Sequence, residues 1–432
     1  MPGARVSANA GLPARQAAIR LVEAAMLRRG GLDAALNEPA LRALSLEDRG
    51  FARALAMAVL RRLGSIDRAL DSRLNRPPPE PVRRLLRIGL AQMLYLDTPD
   101  FAAVSTTVKL AERDNATRPY KALINAVLRG LARDPAAEPP PEADIPPWLF
   151  ARWSAQFGQD VAEGIALNAR HEPPTDLSLK PATDSAALIE ALPGETLPGG
   201  SVRSRRGGDI AGWPDFEGGN WWIQDAAAAV PARMLGVQLG ETVLDLCAAP
   251  GGKTLQLAAT GAAVTALDRS EPRLRRLRAN LERTGLNAEV VVADGEVWAD
   301  DRQFDAVLLD APCTATGTLR RNPEALYALG PAEIAKLADV QHRLLDAAAG
   351  RVKPGGRLVY CVCSLEREEG ETQVLAFLKR RPEFSLAAVG PEAVGAPSES
   401  LSKEGWLRLT PAQWADRGGL DGFFAARLER AA

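Results

Sequence analysis

Four cysteines are spread through 432 residues, and their surroundings limit the chemistry open to them. Cys361 and Cys363 stand one position apart in "YCVCS", Cys313 lies in "LLDAPCTATGTLRRNPE", and Cys247 in "DLCAAPGGKT". Four are too few for a disulfide scaffold in a chain of this length. A zinc site would need the thiols to converge, and the usual C-x2-C knuckles are missing. A redox pair is equally disfavoured, because C-x-C on an extended strand lacks the helix N-terminus that lowers a thiol pKa. Side chains alternate along a strand, so Cys361 and Cys363 should leave one face, with Cys363 nearer the carboxyl end. The readings left open are a nucleophile with a spectator and a strand that happens to use cysteine twice. His171 and His342, the only histidines, fall in a loop and on a helix, which leaves no histidine triad or metal centre.

Such residues need elements to position them. From Gly240 onward "ETVLDLCAAPGGKTLQLAA" reads as strand, turn and helix, and "AVTALDRSEPRLRRLRANLERTG" as strand and helix. "AEVVVADG" and "FDAVLLDAPC" read as strands ending in acids. "AEIAKLADVQHRLLDAAAGRVKPGG" reads as a helix stopped by Pro-Gly-Gly, "RLVYCVCS" as a strand and "EREEGETQVLAFLKRR" as a helix. This alternation predicts a doubly wound, mostly parallel sheet. Ligands of such sheets sit beyond the carboxyl ends of the strands, the edge to which Cys247, Asp268, Asp294, Asp310, Cys313 and Cys363 are delivered.

The N-terminal part differs. From Ala14 to about Arg133 the apolar spacing is helical throughout, as with Ala18, Ile19, Val22, Ala25 and Met26, and predicts an all-α domain of roughly five to seven helices. The proline-rich "DPAAEPPPEADIPPW" breaks that pattern. A helix in "PWLFARWSAQFG", a strand in "TDLSLK" and the glycine-rich "LPGGSVRSRRGGD" then predict a small α/β subdomain up to about Trp222. Residues 1–135 hold 22 Lys+Arg against 13 Asp+Glu, a net of +9, while the remainder holds 31 against 41, a net of -10. The basic half is a candidate for contacting a polyanion. No apolar run approaches the ~18 residues of a membrane helix. The first 22 residues carry Arg5, Arg15 and Arg20 without an apolar signal core, so the expected location is the cytoplasm.

"DLCAAPGGKT" places adjacent glycines in a strand-to-helix turn, where backbone approaches a ligand closely beside a helix N-terminus. It is neither a P-loop, since Cys247 stands where that motif needs glycine, nor a G-x-G-x-x-G fingerprint. Asp268 follows Gly252 by 16 residues, where an acid can accept from both ribose hydroxyls. With Asp294 ending the third strand near an adenine edge, the set points to S-adenosylmethionine (SAM).

"DLCAAPGGKT", "LLDAPCTATGTLRRNPE" and "YCVCSLEREEGE" together resemble the successive motifs of the RNA (cytosine-5) methyltransferases of the Nol/Nop/Sun family. "WWIQDAAAAVPARML" resembles the segment leading into their cofactor motif, and "DGFFAARLER" their final strand. "DRGFARALAMAVLRRLGSID" and "KALINAVLRG" resemble a domain related to the antitermination factor NusB, the combination of the RsmB/Fmu/Sun branch. The resemblance implies a multidomain fold: an all-α NusB-like RNA-binding domain over 1–135, a linker and small α/β subdomain over 136–222, and a Rossmann-like SAM-dependent methyltransferase domain over 223–432. It implies methylation of carbon 5 of a small-subunit (16S) ribosomal RNA cytosine. Cys363 would be the nucleophile, Cys313 the cysteine of product release, and Asp310 would lie beside methyl donor and base. Cys247, Ala248, Ala249, Pro250, Gly251, Gly252, Lys253, Asp268, Asp294 and Asp310 would line the SAM site.

Arg320 and Arg321, following the Pro-Cys loop, are RNA-phosphate candidates, whereas Arg273, Arg275, Arg276 and Arg278 read as a solvated helix face. No metal and no membrane partner are expected, and a monomer is. The family commonly carries Ala-Thr-Cys-Ser where this chain has Cys361-Val362-Cys363-Ser364, and asparagine at Gly370. The competing reading is a non-catalytic RNA-binding or ribosome-assembly protein with a relic sheet domain, which would show neither SAM affinity nor methyl transfer.

Overall fold

Short apolar runs bounded by turn residues become the strands of two sheets in the computed structural model. Thr175–Leu179 (β1), Gly194–Thr196 (β2), Val202–Ser204 (β3) and Trp221–Ile223 (β4) form an antiparallel sheet in the order β2-β3-β1-β4. Thr242–Leu246 (β5), Ala263–Asp268 (β6), Glu289–Val292 (β7), Phe304–Asp310 (β8), Val352–Val362 (β9), Phe384–Leu386 (β10), Leu407–Leu409 (β11) and Phe423–Arg430 (β12) form the larger one. Its order is β10-β12-β9-β8-β5-β6-β7, with β11 also on β12. From β5 to β9 neighbours run parallel, and β12 is antiparallel to β9, β10 and β11.

Alternation along each strand feeds two cores. Val243, Leu308, Val359 and Ala425 pack on one face, and Leu244, Leu309, Leu358 and Phe424 on the other. Helices over both faces explain why the strands read as nearly continuous apolar runs. β5 lies between β6 and β8, where the winding reverses, so the crevice opens beyond its carboxyl end.

The structure describes residues 11–27, 31–36, 38–181, 183–327 and 329–432. The chain divides into two units, Met1–His171 with Asn322–Ala328, and Glu172–Arg321 with Leu329–Ala432. In the first, helices including Leu12–Leu27, Leu46–Arg61, Glu80–Tyr95 and Lys121–Arg133 pack around Leu21, Leu55, Leu86 and Leu128. Helices Pro147–Phe157 and Gln159–Ala169, expected in the α/β subdomain, belong here. The physical reason is the buried Asp144, which accepts from the Ser65 N–H at 2.6 Å, its hydroxyl at 2.8 Å and Arg170 Nε at 2.7 Å, so the proline-rich segment is stitched to the helices on either side of it. No helix among the described residues is long and apolar enough to cross a membrane.

Two local expectations fail. Helix Pro331–Gly350 ends before the Pro-Gly-Gly, which lies inside β9, where the register against β8 jumps from Phe304↔Val352 to Ala306↔Arg357. A bulge, rather than a helix stop, absorbs the residues that cannot join the ladder. The helix read in "EREEGETQVLAFLKRR" begins only at Glu371, because Glu369 before it is turned into the interior.

Candidate active site

β9 ends at Val362, so Cys363 is the first residue past the strand, at the carboxyl edge, while Cys361 is wholly buried within it. Cys361 lies opposite Asp310 on β8 and Ala425 on β12. Both cysteines belong to the same face of the sheet, as strand alternation requires. From the end of β8 the chain passes through Ala311 and Pro312 to Cys313, whose Sγ is 3.5 Å from Cys363 Sγ. The loop is pinned at its ends by Ala311 N–H donating to Cys361 O at 3.0 Å and Gly317 N–H to Cys363 O at 3.1 Å. Gly317 has no alternative, since a Cβ there would stand 2.1 Å from Gly422 O.

Beside the thiols, buried Lys253 donates to Asp310 Oδ2 at 2.7 Å and lies 4.8 Å from the centre of the Phe423 ring. Burial alone would depress the ammonium, but the Asp310 charge outweighs it and Lys253 stays protonated. Cys361 Sγ lies 3.5 Å from Asp310 Oδ1. Burial and that carboxylate push its thiol well up, so Cys361 is a poor nucleophile. Cys313 is also held as a thiol, first by its hydrogen bond with Cys363 and then by burial.

The segment Cys247–Lys253 forms the turn between β5 and helix Gly252–Ala259. Cys247 and Gly251 adopt φ of 62° and 112°; the first is unusual for a residue with a Cβ, and at Gly251 a Cβ would meet Leu277 Cδ1 at 2.4 Å. The Asp268 carboxylate, at the end of β6, accepts from the Ala249 N–H at 3.1 Å and the Ser270 N–H at 2.8 Å, which fixes it against the turn. Arg273 reaches back to Ala249 O from an exposed position. Pro250 is exposed beside buried Ala248 and Ala249. Asp294 stands exposed two residues beyond β7, its Oδ1 accepting from the Glu296 N–H at 3.0 Å. Burial pushes the Cys247 thiol up to about 12, which removes it from nucleophilic roles.

The residues present fit SAM. A cradle too tight for a Cβ, a helix N-terminus and a fixed acceptor at Asp268 stand at the switch point. Asp245 adds a buried Oδ1 without a hydrogen-bond partner, an acceptor open to a cationic or N–H group. Among the described residues no group of three or more His, Cys, Asp or Glu is placed to hold a metal ion.

Arg320 and Arg321, expected from sequence to meet RNA phosphate, are instead paired with carboxylates of this chain, Arg320 fully buried and Arg321 partly so. Arg320, with a side chain 1% exposed, lies 2.9 Å from Asp421 and 3.2 Å from Asp225, and donates to Gly418 O at 2.6 Å. Arg321 shares both acids, at 2.6 Å from Asp225 and 3.2 Å from Asp421. Burial would raise the Asp225 carboxyl, yet the two arginines hold it down at about 2, while burial and Asp225 push Asp421 up. The cluster is a buried brace that anchors the far end of the Cys313 loop.

Sequence reading missed Asp225, Asp421, Asp245 and Glu369. Asp225 had one local signal, an acid before "AAAAV", where it caps helix Ala226–Leu235 by accepting from the Ala227 N–H at 2.9 Å. At Gly370 a Cβ would meet Arg408 Nη2 at 2.5 Å and the Phe424 ring at 2.9 Å. That space holds the Arg408 guanidinium, which donates to Ser364 O next to Cys363 and pairs with Glu371 at 2.7 Å. Trp153, Trp221 and Trp222 are core residues.

A doubly wound sheet with a glycine turn at its switch point, an acid ending the next strand and a thiol pair at the same edge defines a SAM-dependent methyltransferase. The sequence model described as "16S rRNA methyltransferase RsmB/F" matches residues 232–429, and that of the NusB family matches 12–133. Ribosomal RNA small subunit methyltransferase B of Klebsiella pneumoniae is 36% identical over 90% of this chain and 92% of its own, and that of Sodalis glossinidius 35% over 94% and 95%. The crystal structure of PH0851 superposes with a TM-score of 0.77 at 25% identity, covering 99% of this chain and 100% of that one. The chain belongs to the RsmB/F family of 16S rRNA methyltransferases and carries a NusB domain.

Proposed function

We propose that this chain methylates carbon 5 of a cytosine in 16S ribosomal RNA through a covalent adduct of Cys363 at carbon 6. The observation that carries the proposal is the 3.5 Å approach of Cys363 and Cys313 beside the Lys253–Asp310 pair. Carbon 5 of cytosine is too weak a nucleophile to take a methyl group unaided, and a thiolate added at carbon 6 turns the ring into an enamine. The base enters the crevice unstacked. The Cys363 thiolate forms the bond to carbon 6, while Asp310, paired with Lys253 at 2.7 Å, accepts from the base. Bound SAM supplies the electrophilic methyl group to carbon 5, and Cys247–Lys253 with Asp268 and Asp294 are the residues that hold it. A solvent water takes the carbon 5 proton, and its electron pair re-forms the ring double bond as the carbon–sulfur bond breaks and the Cys363 sulfur leaves as thiolate. Cys313, hydrogen-bonded to the departing sulfur, assists that release.

In the same reading the basic helices of 1–135 grip RNA phosphates and the pocket in 223–432 selects the base. The protein works in the cytoplasm as a monomer, without a metal. Denaturing electrophoresis with 16S RNA and SAM tests the assignment. Cys313→Ala should accumulate a protein–RNA adduct, and Cys363→Ala should give neither adduct nor 5-methylcytosine. An adduct that persisted in Cys363→Ala would overturn it, and mapping 5-methylcytosine in RNA from a deletion strain identifies the nucleotide.

A further inference from the structure

Glu369 is a buried acid that touches neither thiol, yet it binds the loop that carries Cys313. Residues 311–315 have no regular backbone structure, and Cys313 sits in their middle. Glu369 Oε1 accepts from the Thr314 N–H at 3.0 Å and from Gln341 Nε2 at 3.0 Å, and Oε2 accepts from the Thr314 hydroxyl at 2.5 Å. Gln341 Nε2 also donates to Pro312 O at 2.9 Å, so both neighbours of Cys313 are tied to one carboxylate.

The same network reaches the residue after Cys363. The Thr314 and Ser364 hydroxyls are 3.2 Å apart, those of Thr316 and Ser364 3.3 Å, and the Thr316 hydroxyl accepts from the Leu365 N–H at 2.9 Å. Glu369 is anchored in turn by the Tyr360 hydroxyl, which donates to its carbonyl at 2.5 Å. Glu369, Ser364, Thr316 and Gln341 are all fully buried and Thr314 nearly so. Gln341 Oε1 alone in this network lacks a partner, and the remaining buried hydrogen bonds restrict the geometry of the segments that carry the two sulfurs.

We propose that Glu369 is a positioning residue for the release step, fixing Cys313 against the sulfur of Cys363 through Thr314 and Gln341. The proposal rests on the covalent mechanism above. A loop freed to move the Cys313 sulfur by about 1 Å loses on the order of a hundredfold in rate. The loss falls on the step that needs both thiols, while adduct formation needs only Cys363.

Glu369→Ala should therefore behave as a weaker Cys313→Ala: kcat down by about a hundredfold, adduct visible on denaturing gels, and KM for SAM within about threefold of wild type. Glu369→Gln should restore most of the turnover, because its oxygen can accept from the Thr314 N–H and Gln341 while its amide donates to the Thr314 hydroxyl. Wild-type turnover without adduct in Glu369→Ala overturns the proposal. So does a Glu369→Gln as inactive as Glu369→Ala, which would mean that the charge, not the placement, matters. If Glu369→Ala does not fold, Thr314→Val carries the test: it keeps the N–H bond, loses the hydroxyl, and should raise the adduct fraction, whereas a wild-type fraction overturns the proposal. Failure of the underlying mechanism is distinguishable, since then Cys313→Ala itself traps no adduct.

Discussion

Cys313 and Arg320 belong to one loop, seven residues apart, and the two ends meet opposite fates. At the first end a half-buried thiol faces Cys363 across 3.5 Å at the crevice. At the second, Arg320 and Arg321 are enclosed by Asp225 and Asp421, brought from about 100 residues away on each side. In sequence both ends looked functional, because a cysteine after proline and a pair of arginines are each apt for chemistry on RNA. The difference is depth. Reactive groups tolerate partial exposure, while a guanidinium 1% exposed must be paired, and its pairing leaves nothing for a phosphate. One end presents a thiol at the crevice and the other ties the loop to the sheet domain.

The largest effect expected from breaking this contrast is at the arginine end. Arg320→Ala leaves two buried carboxylates sharing Arg321 and should cost about 3–5 kcal/mol of stability, measured by denaturant unfolding. Its RNA affinity, in whatever fraction folds, should keep the wild-type dependence on salt. A phosphate ligand would instead lower the slope of log affinity against log salt by about 1 when removed. A reduced slope at unchanged stability would restore Arg320 to the RNA surface.

How much was legible follows from the same contrast. Strand-end acids and cysteines were readable because a doubly wound sheet sends every parallel strand's carboxyl end to one edge, so Asp268, Asp310 and Cys363 could be placed from pattern alone. The pairing of Arg320 and Arg321 was not legible because a sequence shows no depth, and neither Asp225 nor Asp421 is a local neighbour. Glu369 was hidden for a related reason: in "EREEGE" it looks like one of several solvated acids on a helix, and only the loop before Glu371 turns it inward. The Pro-Gly-Gly was taken as a stop because both residue types end helices, whereas a strand with a bulge accommodates them equally well.

The acids of β5 and β6 allow a second, smaller test. Asp268 is fixed by two N–H donors, but Asp245 has only the Thr254 hydroxyl, at 2.6 Å on Oδ2, and an unpartnered Oδ1. Burial, opposed by Thr254, pushes the Asp245 carboxyl up to about 7. A group raised on folding stabilises fully below its unfolded pKa of about 4, and that contribution is lost as pH climbs through the folded value. Without cofactor, Asp245→Asn escapes the loss and should gain on wild type between about pH 4 and 7, by up to roughly 4 kcal/mol. Melting temperatures across that range decide it, and a constant difference would mean that Asp245 is ionised throughout.

The smallest effect is expected inside the "CVC" itself. Cys361 and Cys363 share a face, yet Cys361 is wholly buried and its S–H is a weak donor to Asp310 Oδ1 at 3.5 Å. Lys253 holds the other oxygen at 2.7 Å, so Asp310 remains paired when the sulfur is removed. Cys361→Ala loses one buried atom and should cost about 1 kcal/mol and no more than about twofold in kcat. A loss on the scale of Cys363→Ala would mean that the thiol one pleat deeper is the one that attacks, and that the strand ends two residues earlier in the working enzyme than its register against β8 and β12 implies.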